Sequence, residues 1–299
     1  MQDCAEAISI GDGMGGFIRT YAEPDCDLQE PFDVAVVMPT ILRPELKDAL
    51  HSIFAQTILG RIHVLIGIDR PAADLSLLDA ACEGRPPNCV VQVYYPGYST
   101  SVRHGGLSPA RDGGVLRCIL SYLANSPYVA YLDDDNWWRP DHLQLLRAAM
   151  VQADWAFSLR WFVHPTSRRA ICVDQWESLG PGLGAFNGEF GGFVDANCLM
   201  LNKVACEPVV CEWNRPLAND PKGMSADRNV FNVLLRYFRG AATSQPTVFY
   251  TMDPDDDRHD VRLLLMGAAY HEAASPHFEA QTGSTIAVND GRPLLTRPP

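Results

Sequence analysis

No run of about 18 or more apolar residues occurs in this 299-residue chain, so no segment of it is suited to cross a bilayer as a helix. Basic residues are scarce beside acidic ones: 24 Lys and Arg stand against 36 Asp and Glu, for a net charge of −12, and they form no cluster. A phosphate backbone is gripped by clustered Lys and Arg that release its counterions, so nucleic acid is not an expected partner. Met1 to Gly16 lack a basic region followed by an apolar one, the mark of a secretory leader, and the expected location is the cytoplasm. The nine cysteines are odd in number, scattered, and include no Cys-x-x-Cys pair, which argues against a disulfide framework or a cysteine zinc site. No Walker-type Gly-x-x-x-x-Gly-Lys-Ser/Thr is present. Gly11–Gly16 fits Gly-x-Gly-x-x-Gly by letter, but Phe17–Asp27 behind it contains Pro24 and no helical apolar stripe. No helix opens there to offer its amides to a pyrophosphate.

What is present is an ordinary globular balance, 47% hydrophobic and 20% charged, with length for one large core or two modest ones. Residues 1–31 are Gly-rich, acidic and weakly patterned, and read as an arm or small hairpin. Regular elements begin with Val34–Met38, a short β-branched run that Pro39 is expected to stop. Leu46, Leu50, Ile53 and Phe54 recur at helical spacing between Glu45 and Gln56. Strands follow at Ile62–Ile68, ending at Asp69, and at Val90–Tyr95. Pro109–Ala124 reads as a helix with Val115, Ile119, Leu120 and Leu123 facing inward. Tyr128–Leu132 is a strand that runs into three aspartates, and Leu143, Leu146, Ala149 and Met150 mark the next helix. This alternation predicts an α/β fold whose mostly parallel sheet is covered by helices on both faces. Such sheets bind ligands beyond the carboxyl ends of their strands, where Asp69 and Asp133–Asp135 both fall. The second half is less regular, with strands near Trp155–Phe162 and Val194–Leu201, and helices near Asp227–Phe238 and Val261–Tyr270.

An acidic protein repels any phosphorylated ligand unless a cation intervenes. Asp133-Asp134-Asp135 answers that problem. In an extended chain Asp133 and Asp135 point to one side and Asp134 to the other. Two carboxylates at the end of a buried strand suit a hard divalent ion such as Mg²⁺ or Mn²⁺, which would bridge to a diphosphate.

Four segments in order carry a resemblance. Val34–Thr40 followed by Leu50–Thr57, then Pro109-Ala-Arg-Asp-Gly-Gly114, then Tyr-Leu-Asp-Asp-Asp-Asn within Tyr128–Leu143, are similar to the motifs of family 2 glycosyltransferases of the GT-A fold. The likeness covers about residues 33–240. It implies a GT-A domain over 32–260, with a nucleotide half (32–136), an acceptor half (137–260), and a C-terminal helix and tail (261–299). It also implies a nucleotide-sugar donor, most often a UDP-sugar, and an acceptor hydroxyl. By the same resemblance Thr40 and Asp69 line the base and ribose pocket, Arg111 supports the nucleotide, Asp133 and Asp134 hold ribose or diphosphate, and Asp135 ligates the metal. The family's general base is a carboxylate opening a late helix. Met224-Ser-Ala-Asp227 matches, with Ala226 where a Glu is frequent, and an acid at a helix start also favours the positive end of the dipole. His259, in the acidic segment Asp253–Asp260, is the candidate for a further metal or phosphate ligand, with Arg258 beside it.

The chain departs from the family at Asp69-Arg70-Pro71 and at Asp112, which stands where Asn is usual. It lacks the Gln-x-x-Arg-Trp segment of processive membrane synthases, which implies transfer of single sugars. Among Trp137, Trp138, Trp161, Trp176 and Trp213, one is expected to touch a sugar. Gly180–Gly192 reads as a lid or as an ordinary loop, with Asp195 close behind it. Two other readings stay open: a sugar-phosphate nucleotidyltransferase, which would want a Gly-rich basic loop after the first strand, and a catalytically silent nucleotide-sugar-binding protein.

Overall fold

The computed structural model describes residues 15–70, 75–110, 113–216 and 226–275. Strand β1 (Phe17–Tyr21) belongs to the segment read as an arm, and it forms the edge of the sheet, antiparallel to β4 (Cys89–Tyr95). Inside β4 lie β3 (Ile62–Ile68) and β2 (Val34–Thr40), all three parallel, and every residue of β2 and β3 is buried. Strands covered on both faces read as continuous apolar runs, as these two do.

Beyond β2 the order continues through β5 (Tyr128–Tyr131), β11 (Leu199–Asn202), β7 (Trp155–Val163), β12 (Gly240–Thr251) and β6 (Trp137–Trp138), with β8 (Ala170–Val173) on the far part of β7. One sheet therefore spans both halves expected from the sequence. Six strands, β2 to β5 with β7 and β12, run one way, while β1, β6, β8 and β11 run the other. Two short strands, β9 (Gly180–Pro181) and β10 (Gly192–Phe193), pair apart from it.

Helices α1 (Leu46–Phe54), α2 (Ser76–Cys82), α3 (Gly114–Leu123), α4 (His142–Ala149) and α7 (Ala226–Tyr237) pack apolar sides against the sheet. The other α-helices among the described residues are α5 (Asn187–Phe190), α6 (Glu207–Val210), α8 (His259–Met266) and α9 (Ala268–Ala274). No helix among the described residues is long and apolar enough to cross a membrane.

Three expectations change. Pro39 does not stop β2, which runs on to Thr40 in register with Ile68. Val37 turns its carbonyl to the Leu132 amide, so Pro39 faces the same side two residues later, where β5 has already ended and no N–H is needed. Helix α3 turns Leu116, Arg117 and Leu120 inward, while Ile119 and Leu123 are about half exposed (47% and 50%). The late apolar helix is two, α8 and α9, broken at Gly267, whose φ of +54° is costly for any residue with a Cβ.

Candidate active site

The strand order β3-β2-β5 sets Asp69, Thr40 and Asp133 side by side at adjoining carboxyl ends. A cleft of about 830 Å³ opens over them. Its lining includes Thr40, Asp69, Asp133, Asp134 and Asp135 together with Asp195 and Asp227.

Asp69 is buried, and its Oδ1 accepts from the Ser99 hydroxyl at 2.8 Å and from the Thr100 amide and hydroxyl at 2.5 and 3.1 Å. Its own amide donates to the Thr40 carbonyl, which fastens the two strand ends together. Thr40 in turn donates its hydroxyl to Asp134 Oδ2 at 2.6 Å and accepts the Leu42 amide at 2.7 Å.

The acidic run is not extended. Asn136 donates its amide to the Asp133 carbonyl, and the chain turns there. The turn, rather than a pleat, aims the carboxylates, and it brings Asp134 and Asp135 within reach of one guanidinium. Arg43 Nη1 bridges that pair, 2.7 Å from Asp134 Oδ1 and 3.1 Å from Asp135 Oδ2. Asp133 is held separately, by the Arg117 guanidinium and by a reciprocal clasp with Asn197 at 2.6 and 2.9 Å. Two arginines therefore neutralise part of the charge that the sequence alone left for a metal to balance. Asp135 stays short of positive charge: burial first, then the Asp133 and Asp134 charges, push its carboxyl up to about 7.

Among the described residues no three His, Cys, Asp or Glu side chains form a ready metal cage. Mg²⁺ and Mn²⁺ sites on phosphate ligands are content with one or two carboxylates, the phosphate oxygens and water completing the shell. Asp135, about one third exposed to the cleft (35%), meets that requirement, and the Arg43 guanidinium stands in for a cation between it and Asp134. The donor set fits a divalent ion bound together with a diphosphate.

Across the cleft Asp227 lies in the first turn of α7, its Oδ1 accepting the Arg228 amide at 2.8 Å. Burial, and next the Asp195 charge, raise its carboxyl to about 6. Asp195 Oδ1 accepts from Asn197, which reaches Asp133, and its Oδ2 accepts from Arg160 Nη1 at 2.6 Å. Arg160 is fully buried on β7 and also meets Asp174 at 2.9 Å and Glu177 at 2.8 Å. Glu177 gathers Arg258 and Arg262 in addition, and Arg262 holds Asp256 at 3.0 Å. This network ties the acidic segment 253–258 to the sheet.

His259 falls elsewhere. Its ring packs edge-on to Tyr270, and it is not among the cleft-lining residues. Arg111 and Asp112 lie outside the described residues. Of the five tryptophans, Trp213 lines the cleft, beneath the Arg117 guanidinium, whereas Trp137 stacks on Phe249 and Trp138 on His142. The Gly180–Gly192 stretch contributes Phe186 to the wall, clasped between the Arg228 and Arg258 guanidiniums at 4.4 and 4.6 Å from its ring centre.

Sequence reasoning missed Arg43, Arg117, Arg160 and Asn197. Arg160 carried a readable signal, a lone charge inside the apolar strand Trp155–Val163.

No protein-family model matches the chain, and no curated protein matches it either. Solved structures do match in fold, a GT-A-like α/β sheet flanked by helices. One is S. aureus TarS 1-349, at TM-score 0.51 and 12% identity over 73% of this chain and 60% of that one. Longer TarS gives TM-score 0.50 and 13% identity over 78% of this chain, which spans 39% of TarS. TarS 1-349 in complex with UDP gives 0.50 and 14% over 82% of this chain and 72% of that one.

Proposed function

We propose that the cleft is the active site of a glycosyltransferase that moves one sugar from a nucleotide-diphosphate sugar to an acceptor hydroxyl, with inversion and with a divalent ion, Mn²⁺ or Mg²⁺. One juxtaposition carries the reading. Thr40, Asp69 and the Asp133–Asp135 turn share a cleft with Asp227, whose carboxyl is raised to about 6. The motif resemblance to family 2 enzymes supports it, as does fold likeness to TarS, whose structure with UDP is among the matches. The chain spans about two fifths of the longer TarS, so donor and acceptor are taken from the site's chemistry.

In this reading Asp69 and Thr40 border the base and ribose, with Arg111 supporting the nucleotide. Asp133 and Asp134 face ribose or diphosphate, and Asp135 holds the cation. When bound, the cation supplies positive charge to the departing diphosphate. Arg43, fixed on Asp134, places a further cation beside those phosphates. Asp227 takes the proton of the acceptor hydroxyl as that oxygen attacks the anomeric carbon from the face opposite the diphosphate. A carboxyl near 6 is a stronger base than an ordinary aspartate and is still ionised at neutral pH. Phe186 and Trp213 are buried in the cleft wall against the Arg228, Arg258 and Arg117 guanidiniums, so polar groups rather than these rings meet the sugar.

The test is release of nucleoside diphosphate from UDP- and GDP-sugars by wild type and Asp227→Asn, in the presence of Mn²⁺. Loss of turnover by roughly 100- to 10,000-fold in the variant, with donor binding kept, is the expected result for a lost general base. Equal turnover would remove Asp227 from that role, and no turnover in either protein with donor bound would favour a binding protein.

A further inference from the structure

We propose that Arg43 is a resident cation that occupies Asp135 in the free protein and, when a nucleoside diphosphate enters, passes to the phosphates and yields Asp135 to the divalent ion. The inference rests on the functional reading above and adds a gate to it.

Three features of the loop after β2 support this. The first is the sharing of one nitrogen. Arg43 Nη1 contacts Asp134 Oδ1 and Asp135 Oδ2 together. The two ends of that bridge differ in character. Asp134 is nearly sealed (3% exposed side chain) and has other donors on Oδ2, the Thr40 hydroxyl and the Ile41 amide at 3.3 Å. Asp135 is open to the cleft. Asp134 is thus the anchor of the bridge and Asp135 the exchangeable end, while Asp133 is occupied by Arg117 and Asn197.

The second feature is the backbone. Leu42, immediately before Arg43, has φ of +62°, a left-handed conformation that a leucine rarely adopts. The Thr40 hydroxyl holds it there by accepting the Leu42 amide, and that same hydroxyl donates to Asp134. Strain stored beside a ligand-facing residue persists only where surrounding contacts impose it, and such strain is a feature of switch segments. Arg43 is also 44% exposed, so no packed core resists its movement.

The third feature is charge. Three carboxylates, Asp133 to Asp135, face two guanidiniums, Arg43 and Arg117, and with all three ionised they leave one net negative charge. A divalent ion added alone turns that surplus positive and sits against Arg43, so the two compete for Asp135. A diphosphate removes the conflict because it accepts both cations, and a guanidinium pairs well with phosphate oxygens. By linkage, nucleotide and metal then each raise the other's affinity by the same factor, and Arg43 sets that factor.

The experiment measures free Mn²⁺ by electron paramagnetic resonance in titrations of wild type, Arg43→Ala and Arg43→Lys, each without nucleotide, with UDP and with GDP. Arg43→Ala is expected to bind Mn²⁺ alone about tenfold more tightly than wild type, within the usual range of site couplings. The same variant should bind the nucleotide in the presence of Mn²⁺ more weakly than wild type. Arg43→Lys, which keeps one charge without the fork, should fall between them and serves if the alanine variant does not fold. A merely structural arginine would not move the two affinities in opposite directions. Unchanged or weaker Mn²⁺ binding in Arg43→Ala, with nucleotide still promoting Mn²⁺ binding in wild type, overturns the gate and leaves the functional reading standing. No Mn²⁺ binding by wild type with either nucleotide overturns both.

Discussion

The carboxyl of Asp227 offers the most quantitative test of the chemistry. Its rise from the ordinary 3.8 to about 6 has burial as its first cause and the Asp195 charge as its second. That gap corresponds to at most about 3 kcal/mol against ionisation. The base acts in its ionised form, so kcat/KM should have an acidic limb near pH 6 and fall about tenfold for each pH unit below it. Asp195→Asn removes the second cause, keeps the side chain's shape, and preserves a carbonyl oxygen to accept from Arg160 or Asn197. Burial stays, so the limb should move downward, to between about 4 and 6, without reaching the value of a free aspartate. The assay is nucleoside diphosphate release across pH 4.5–8 (about that window), with saturating Mn²⁺ so that the bound ion suppresses protonation of Asp135. Each enzyme is normalised to its own plateau, so a general loss of rate in the variant does not matter. At about pH 5 the variant should retain a larger fraction of its plateau than wild type. A limb that stays near 6, or rises, refutes the coupling of Asp195 to Asp227.

Other consequences concern the supports of the site. Arg160→Met strips Asp174 and Asp195 of their buried cation, while Glu177 keeps Arg258 and Arg262, and breaking such a buried cluster costs roughly 3–5 kcal/mol. Urea denaturation should show that loss, and a change below about 1 kcal/mol would mean the network carries little stability. His259→Ala should leave Mn²⁺ affinity in the presence of nucleotide unchanged within about twofold, because the ring packs on Tyr270 outside the cleft lining. A loss of tenfold or more, in the range of a lost metal contact, would return His259 to the metal site.

The first half of this molecule was legible in the sequence because apolar strands end abruptly in polar residues there. Val34–Thr40, Ile62–Asp69 and Tyr128–Asp133 are each a buried run and then a group that faces the cleft, and the parallel order of their strands aligns those groups. The acidic run's geometry was not legible, since its turn is held by residues far along the chain, Thr40 and Arg43 on Asp134 and Asn197 on Asp133. The inward face of α3 was misjudged for a related reason. Apolar spacing favoured Ile119 and Leu123, but the helix rotates to present Arg117 to Asp133, and an ion pair to the turn after the next strand leaves no trace in hydrophobic periodicity. Asp195 and Arg160 show the same limit, since they meet across 35 residues of chain and make sense only once β7 and the segment before β11 are adjacent. Pro39 shows that a strand's stopping point depends on its neighbour, here β5, as well as on its own residues.

The proposed sugar transfer requires the cleft to receive a nucleoside diphosphate through a divalent ion at Asp135. Thermal denaturation of the protein with UDP, GDP and dTDP, each with and without Mn²⁺, and repeated with Asp135→Asn, tests this directly. One nucleotide should raise the Tm of the wild type by several degrees only when Mn²⁺ is present, as about 3 kcal/mol of binding at a hundredfold excess over Kd requires, and Asp135→Asn should abolish the rise. A flat panel, or an equal rise in Asp135→Asn, would contradict it.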